Sequence, residues 1–423
     1  MSGIFLDIIY LLLSLFYVPA FLLKGRHRLG LRQRCGVFSP EILRQWADGR
    51  PVIWLHAVSV GEIHAAEGLI QAIRKRNPGS RLVLSTITPT GNSVAQRLAQ
   101  QGDSVIYFPF DVSFVVRRVL RQMRPRLIII METELWPNLM HEAGRQHIPL
   151  VIANGRISDR AYARYRLIAW LLRPALQRIS WCCMQSEADR RRIISLGAEP
   201  RRITVTGNLK FDQADANVGP LPELGIGKEE RLIIAGSTHE PEEELITRVF
   251  LKLRVRYPGL RLLLAPRHPH RSQEVAAMVQ KHQLSAHLLS SESVPVAGTA
   301  PVLILDVMGV LRQAYRKAAI VIIGGSLVKH GGQNPIEAAV WGKPIVFGPH
   351  MFNFSGISAL FLRQDAAVQT SGAADLERTL AGLLDDRERC RRLGDNARTL
   401  VEAQRGSVSE VMKALAPFLG TLA

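Results

Sequence analysis

Two kinds of residue with chemical potential recur in one kind of place along this chain, just past a short apolar run. "HAVSVGE" ends in Glu62, and "METELWP" carries Glu132 and Glu134 directly after "LIII". A carboxylate so placed is costly to desolvate unless it is paired or functional. Plainer readings stand beside that one. Glu62 also suits the first turn of a helix, where the dipole favours an anion. One of Glu132 and Glu134 suits the cap of a helix starting near Pro137. Further along, "AGSTHEPEE" offers Ser237, Thr238 and His239, and "APRHPHR" offers Arg267 and His268. Arg267 has the planar fork that grips a phosphate through two hydrogen bonds, unless it serves a surface ion pair. His268 alone reads as an ordinary polar contact near a helix start.

A third concentration is "GGSLVKHGGQNPIEAAVWGKPIVFGP", residues 324–349. Asn334 is a good helix N-cap, Pro335 fits the first helical position, and Glu337 completes an Asn-x-x-Glu box. Helix initiation does not account for Gly331 and Gly332 just ahead. Glycines there let a ligand approach exposed N–H groups at a helix start, an environment suited to an anion. The expected occupant is a phosphate of a sugar nucleotide.

These residues need strands behind them, and the chain supplies them. From Pro51, "PVIWLHA", "RLVLST", "SVIYFPF", "RLIIIME" and "PLVIAN" predict strands at 51–57, 81–86, 104–110, 126–132 and 149–154. Most are apolar on both faces, as in a parallel sheet covered by helices. Helical spacing separates them, as in "EIHAAEGLIQAIRKR", so the series is a doubly wound β-α-β domain. "NLKFDQADANVGPLPELGIGKEE" then breaks the alternation with glycines and prolines. It restarts with strands at 231–237, 260–266, 301–306, 319–325 and 343–349, and the tail after residue 400 adds helical pattern only. The expected fold class is therefore α/β, with two Rossmann-like domains facing a cleft. The expected boundaries are 1–30 for an amino-terminal segment, 31–208 for the first domain, 209–230 for a linker and 231–423 for the second domain. Ligands of such sheets bind beyond the carboxyl ends of the strands, where the candidate residues fall.

The amino end reads as a membrane signal. "IFLDIIYLLLSLFYVPAFLL", residues 4–23, is long enough to span a bilayer and is followed by Lys24, Arg26, Arg28, Arg32 and Arg34. Positives after the apolar core, rather than before it, predict an uncleaved anchor helix with the catalytic body on the cytoplasmic side, or a helix embedded in one leaflet. A net charge of +18 from 54 Lys+Arg and 36 Asp+Glu points to an anionic membrane, a phosphorylated substrate or nucleic acid. Nucleic acid is set aside, because no binding motif for it accompanies the charge. The four cysteines form no CxxC or Cys/His cluster, so there is no structural-zinc pattern, and reduced thiols are expected. No GxGxxG follows the first strand and no GxxxxGK[ST] occurs, which argues against a dinucleotide dehydrogenase and a P-loop enzyme. No GxSxG elbow accompanies the serines either.

"HAVSVGE", "TPTGNSVAQRL", "METELWPNL", "PLVIANGRIS", "VTGNLKFD", "STHEPEEE", "PRHPHR", "GGSLVKHGGQNPIEAA" and "GPHMFNF" occur in this order. Together they resemble the 3-deoxy-D-manno-octulosonic acid (Kdo) transferases of Gram-negative bacteria over nearly the whole chain. The resemblance implies a GT-B glycosyltransferase. Such an enzyme moves Kdo from CMP-Kdo to the lipid A precursor at the cytoplasmic face of the inner membrane, with no cofactor and no metal. By it, Glu62 is the general base and Glu132 lies near the reacting sugars. Lys210 of "NLKFD" and the amides before Asn334 hold the charge of the departing CMP. Arg267, His268, Met308, Gly309, Val310, Asn334, Pro335, Ile336 and Glu337 line the CMP pocket, with Glu337 at the ribose hydroxyls. One departure is visible: relatives carry "DTMGEL" where this chain reads "DVMGVL", so Val310 stands in place of a carboxylate.

The basic stretch "SDRAYARYRLIAWLLRPALQR", residues 158–178, interleaves arginines with Tyr162, Tyr165 and Trp170. It reads as an amphipathic helix for a headgroup layer or for the phosphates of the acceptor, or as a solvated face over the sheet. Two rival functions remain for the whole chain. A sugar-nucleotide 2-epimerase would share the fold but needs no lipid acceptor. An inactive membrane adaptor that binds sugar nucleotide would not need Glu62 or Lys210.

Overall fold

A computed structural model describes residues 30–213, 223–291 and 300–420. The expected anchor at 4–23 and the middle of the expected linker lie outside the described residues. Among those described, no helix is long and apolar enough to cross a membrane. The chain divides into two compact units. One ends at Gln213 and takes the chain back from Arg405; the other runs from Ala214 to Gln404.

The amino-terminal unit holds strands β1 (Val52–His56), β2 (Arg81–Thr86), β3 (Ser104–Tyr107), β4 (Pro125–Met131), β5 (Leu150–Gly155), β6 (Trp181–Met184) and β7 (Ile203–Val205). They form one sheet in the order β3-β2-β1-β4-β5-β6-β7, parallel throughout. Successive side chains of a strand point to opposite faces, and both faces here are covered. Trp54 of β1 packs in one core with Ile128 and Phe108. Its neighbours Ile53 and Leu55 pack in the other with Ile63 and Leu69 of the helix Val60–Arg76. That two-sided burial is why the strands read as continuous apolar runs.

The second unit repeats the plan. Its strands are β8 (Arg231–Thr238), β9 (Leu260–Pro266), β10 (Ala286–Leu288), β11 (Val302–Ile304), β12 (Ile320–Ile323), β13 (Ile345–Phe347) and β14 (Val368–Gln369). The order is β10-β11-β9-β8-β12-β13-β14, again parallel. Strands β6, β7, β10 and β14 go beyond those the sequence predicts.

One boundary differs from the expectation. The sequence groups the tail beyond residue 404 with the second domain, but helix Ser407–Leu419 belongs to the first. Its Val411, Leu415 and Leu419 are buried with Ile53 and Leu55 of β1. Asp212 reinforces the return, its carboxylate accepting from the N–H groups of Gly406, at 2.6 Å, and Val408. Apolar burial on that face of the sheet, not the order of residues along the chain, decides which core the last helix completes.

Candidate functional site

The strand order switches direction between β1 and β4 in the first sheet and between β8 and β12 in the second. Such a switch point opens a crevice at the carboxyl ends of the strands. Glu62 follows β1, and Glu132 and Glu134 follow β4, so the carboxylates singled out in the sequence flank the first switch point. His239 follows β8 and the glycine run follows β12, so they flank the second.

Glu62 lies in the first turn of helix Val60–Arg76 and is 8% exposed. Its Oε2 accepts from Val58 N–H at 2.8 Å and its Oε1 from Ser59 Oγ–H at 3.2 Å. Part of the helix-start reading therefore holds, since the side chain caps the turn that precedes it. A cap carboxylate is ordinarily kept ionised by such donors. Here burial outweighs them, and together with the Glu132 charge it pushes the Glu62 carboxyl up to about 8. Burial, and then Glu132, also raise Glu134.

Glu132 sits just past β4 with φ 54°, in the left-handed region. A non-glycine residue there carries strain that the surroundings must sustain, a common condition at functional sites. Its Oε1 lies 3.6 Å from Lys210 Nζ, with both side chains largely buried. Lys210 comes from the turn Leu209–Phe211, far along the chain. The structure thus joins Glu62, Glu132, Glu134 and Lys210 into one cluster of three carboxylates and a cation. His56, which opens "HAVSVGE", is no part of it. It is fully buried, stacked on Phe108 at 3.9 Å between centroids and bonded through Nδ1 to Ser85, and burial holds its ring down at about 3.

In the second unit Arg267 is exposed directly after β9, and its guanidinium pairs with no carboxylate among the described residues. The ion pairs fall instead to Arg271, which meets Glu243 at 3.0 Å. His268 is exposed and lies edge-on to His239, at 5.9 Å between centroids. His239 in turn stacks on His330 at 4.2 Å. Burial, then the charges of His330, His268, Arg267 and Arg271, hold His239 down at about 4. Sequence reasoning misses Glu242. It is fully buried, and its carboxylate accepts from the N–H groups of His239 (2.9 Å), Gly325 (2.6 Å) and Leu327 (2.8 Å). That carboxylate clamps the start of the glycine run to the end of β8. The only hint in the sequence is the triple "EEE" at a helix start.

Asn334 Oδ1 accepts from Ile336 N–H at 3.1 Å and its amide reaches Glu337 Oε1 at 3.5 Å, but the helix begins at Ile336 with Pro335 in the cap position, one residue later than expected. That helix is a single turn, Ile336–Ala339, so its dipole contributes little. Gly331 and Gly332 have a packing cause that the sequence does not reveal. Their φ angles are 94° and 73°. A Cβ on Gly331 would lie 2.3 Å from Asn353 Nδ2, and one on Gly332 would lie 2.2 Å from Met351 Sδ. The Gly332 N–H is already taken by the Gly325 carbonyl, at 2.8 Å. These glycines admit the chain around "HMFNF". Met308 is exposed, Gly309 has φ 81°, and Val310 is half-buried before the helix Leu311–Ala314. Trp341 Nε1–H donates to the Arg312 carbonyl at 2.7 Å, which ties that segment to the turn Ile336–Ala339. Pro335 precedes that turn and Ile336 is fully buried within it. Among the described residues, no group of three or more His, Cys, Asp or Glu is arranged to hold a metal ion.

Residues 29–213 match the family described as 3-Deoxy-D-manno-octulosonic-acid transferase (kdotransferase). A 3-deoxy-D-manno-octulosonic acid transferase of Haemophilus influenzae is 36% identical over 87% of this chain and 87% of its own length. One of Bordetella pertussis is 33% identical, again over 87% of each chain. Among solved structures, a UDP-GlcNAc 2-epimerase of Neisseria meningitidis bound to UDP-GlcNAc aligns with a TM-score of 0.58. The identity is 13%, over 86% of this chain and 99% of that one. A glycosyltransferase of Rickettsia africae aligns at 0.56 and 11% identity, over 88% and 100%. At such identities these two likenesses show a GT-B-like fold and no more.

Proposed function

The chain belongs to the 3-deoxy-D-manno-octulosonic acid transferase family, and we propose that it moves Kdo from CMP-Kdo to the lipid A precursor, lipid IVA, with Glu62 as general base and without a metal. The observation that carries this reading is the Glu62 carboxyl. It is buried beside Glu132 at the β1/β4 switch point and pushed up to about 8. A base works best when its proton affinity lies near the working pH. Glu62 takes the proton of the acceptor's primary hydroxyl as that oxygen bonds to the anomeric carbon of Kdo. The bond from that carbon to the CMP phosphate oxygen breaks, its electron pair leaving with the phosphate, and the configuration inverts.

The departing phosphate gains charge, which cations stabilise most when they are already in position. Arg267, exposed and unpaired among the described residues, is the donor-side cation in this reading, and Lys210 is the one beside the base. His268, Met308, Gly309, Val310 and the run Asn334–Glu337 complete the CMP site. Val310 contributes there through its backbone, since it lacks the carboxylate of relatives.

The enzyme works, on this proposal, at the cytoplasmic face of the inner membrane, anchored through residues 4–23. Helices Asp159–Leu167 and Ala169–Leu176 support that membrane reading. They expose Leu167 and Trp170 among Arg160, Arg164, Arg166 and Arg173. Apolar side chains ringed by arginines suit an anionic headgroup layer.

Purified full-length protein incubated with CMP-Kdo and lipid IVA tests the proposal. Mass measurement should show lipid IVA gaining Kdo and should count the residues added. Conversion of a sugar nucleotide with no acceptor present would instead favour a 2-epimerase, and no product in either mixture would favour an inactive binding protein.

A further inference from the structure

We infer that Asn154, Gln185 and Asn208 are positioning residues that hold Lys210 against Glu132. The inference rests on the reading of Glu62 as the base and adds residues to that site. Lys210 stands on a three-residue turn, Leu209–Phe211, which is too short to fix its own orientation. Three side chains fix it instead. Asn154 Oδ1 accepts from Leu209 N–H at 3.0 Å, and Asn208 Oδ1 accepts from Lys210 N–H at 3.0 Å. Gln185 joins the two asparagines. Its Nε2–H donates to the Asn154 carbonyl and its Oε1 accepts from Asn208 Nδ2–H, both at 3.0 Å. The ring closes from the end of β5, across the residue after β6, to the turn that carries Lys210.

The choice of Asn at position 154 is informative. Its φ is 58°, which glycine would adopt without strain. It is fully buried, and its Nδ2 has no hydrogen-bond partner, a condition that costs about 1–3 kcal/mol. Glycine would avoid that cost but would lose the acceptor that holds Leu209. The preceding residue joins the same assembly, because Ala153 O accepts from Glu132 N–H at 2.8 Å. One short stretch of β5 therefore places both members of the Lys210–Glu132 pair. The burial of Leu209 and Phe211 anchors the turn in the core but does not by itself aim the lysine between them.

The consequence reaches Glu62 through charge. Glu132 and Glu134 face it from beyond β4, and the Val58 N–H and Ser59 hydroxyl face it from its own turn. Lys210 offsets Glu132 at 3.6 Å. A lysine set loose leaves the Glu132 charge less compensated, so Glu62 ionises less readily.

The test uses full-length Gln185→Ala and Asn208→Ala, with transfer from CMP-Kdo to lipid IVA measured against pH. The expected result is a fall in kcat of about tenfold at pH 7 with donor KM within about twofold of the parent. The acid limb of the rate profile should also move up by about half a pH unit or more. Gln185→Asn, which keeps the amide but shortens its reach, should shift the limb in the same direction if Gln185→Ala fails to fold. Unchanged kcat and an unmoved limb, in a background where Lys210→Met has lost transfer, overturn the inference and leave the site reading intact. If Lys210→Met and Glu62→Gln both turn over like the parent, the site reading itself fails, and this inference with it.

Discussion

Replacing Glu62 by glutamine should make the protein more stable at high pH while removing its activity. A carboxyl raised from 4.5 to about 8 differs in free energy between its two protonation states by about 5 kcal/mol, at about 1.4 kcal/mol per pH unit. Below pH 4.5 the group is protonated in folded and unfolded chains alike and has no effect on stability. Between 4.5 and 8 the unfolded chain ionises while the folded one keeps its proton. Folded stability then falls as pH rises, by up to about 1.4 kcal/mol per unit. Above 8 both forms are ionised and the full penalty persists. Glutamine keeps an oxygen to accept from Val58 N–H and an amide to meet Ser59, but it does not titrate. Groups remote from position 62 titrate alike in the two proteins, so their difference reads position 62 together with the Glu132 and Glu134 carboxyls that interact with it. Urea unfolding followed by tryptophan fluorescence is a suitable assay, since five of the six tryptophans, all but Trp341, lie in the amino-terminal unit. The variant should match the parent near pH 5 and exceed it by a few kcal/mol at pH 9. A stability difference that stays flat across this range would refute the claim that burial raises Glu62.

The parent's own transfer rate should climb about tenfold per pH unit below pH 8 and level off above it; a rate independent of pH from 6 to 9 would contradict that. Arg267→Ala should weaken CMP-Kdo binding by about ten- to hundredfold, the usual loss for a charged hydrogen-bonded contact. It should leave the melting temperature unchanged, because the guanidinium pairs with no carboxylate among the described residues, and calorimetry with CMP-Kdo reads the binding directly. Gly331→Ala should destabilise the carboxyl-terminal unit by about 1–3 kcal/mol, through its left-handed backbone and the close Asn353 and Phe352 side chains. An unchanged melting profile would return that glycine to a ligand-approach role. Leu415→Ala should cost about 2–5 kcal/mol as a core truncation and should loosen the amino-terminal unit, as read by proteolysis with its cleavage sites mapped.

The central strands were legible because two-sided burial leaves a signature in residue type. Ile128, Ile129 and Ile130 are all buried, in alternation between two cores, and a strand with one solvated face would not carry such a run. Strands β6, β7, β10 and β14 were not. Of these, β7, β10 and β14 lie at sheet edges and are only partly buried, so they lack the apolar run that marks the comparably short β11, β12 and β13. Strand β6 is Trp-Cys-Cys-Met, without a β-branched residue. The carboxylates at the strand ends were legible for the same reason as the strands, since a charge after a buried run stands out. The partner of Glu132 was not, because Lys210 reaches it across the fold and no spacing rule links the two. The glycine pair was legible as unusual backbone, but its packing role was not, because the side chains it accommodates, Met351 to Asn353, approach through tertiary contact. Helix Ser407–Leu419 was visible as a helix, while the core it completes was not.

The role of Glu62 as base is tested most directly by the rate of transfer of Glu62→Gln at saturating CMP-Kdo and lipid IVA, measured beside its affinity for CMP-Kdo. Turnover should fall by about a thousandfold, within the range for loss of a general base, with CMP-Kdo affinity within about twofold of the parent. Turnover within a few-fold of the parent would contradict that role, whatever the affinity.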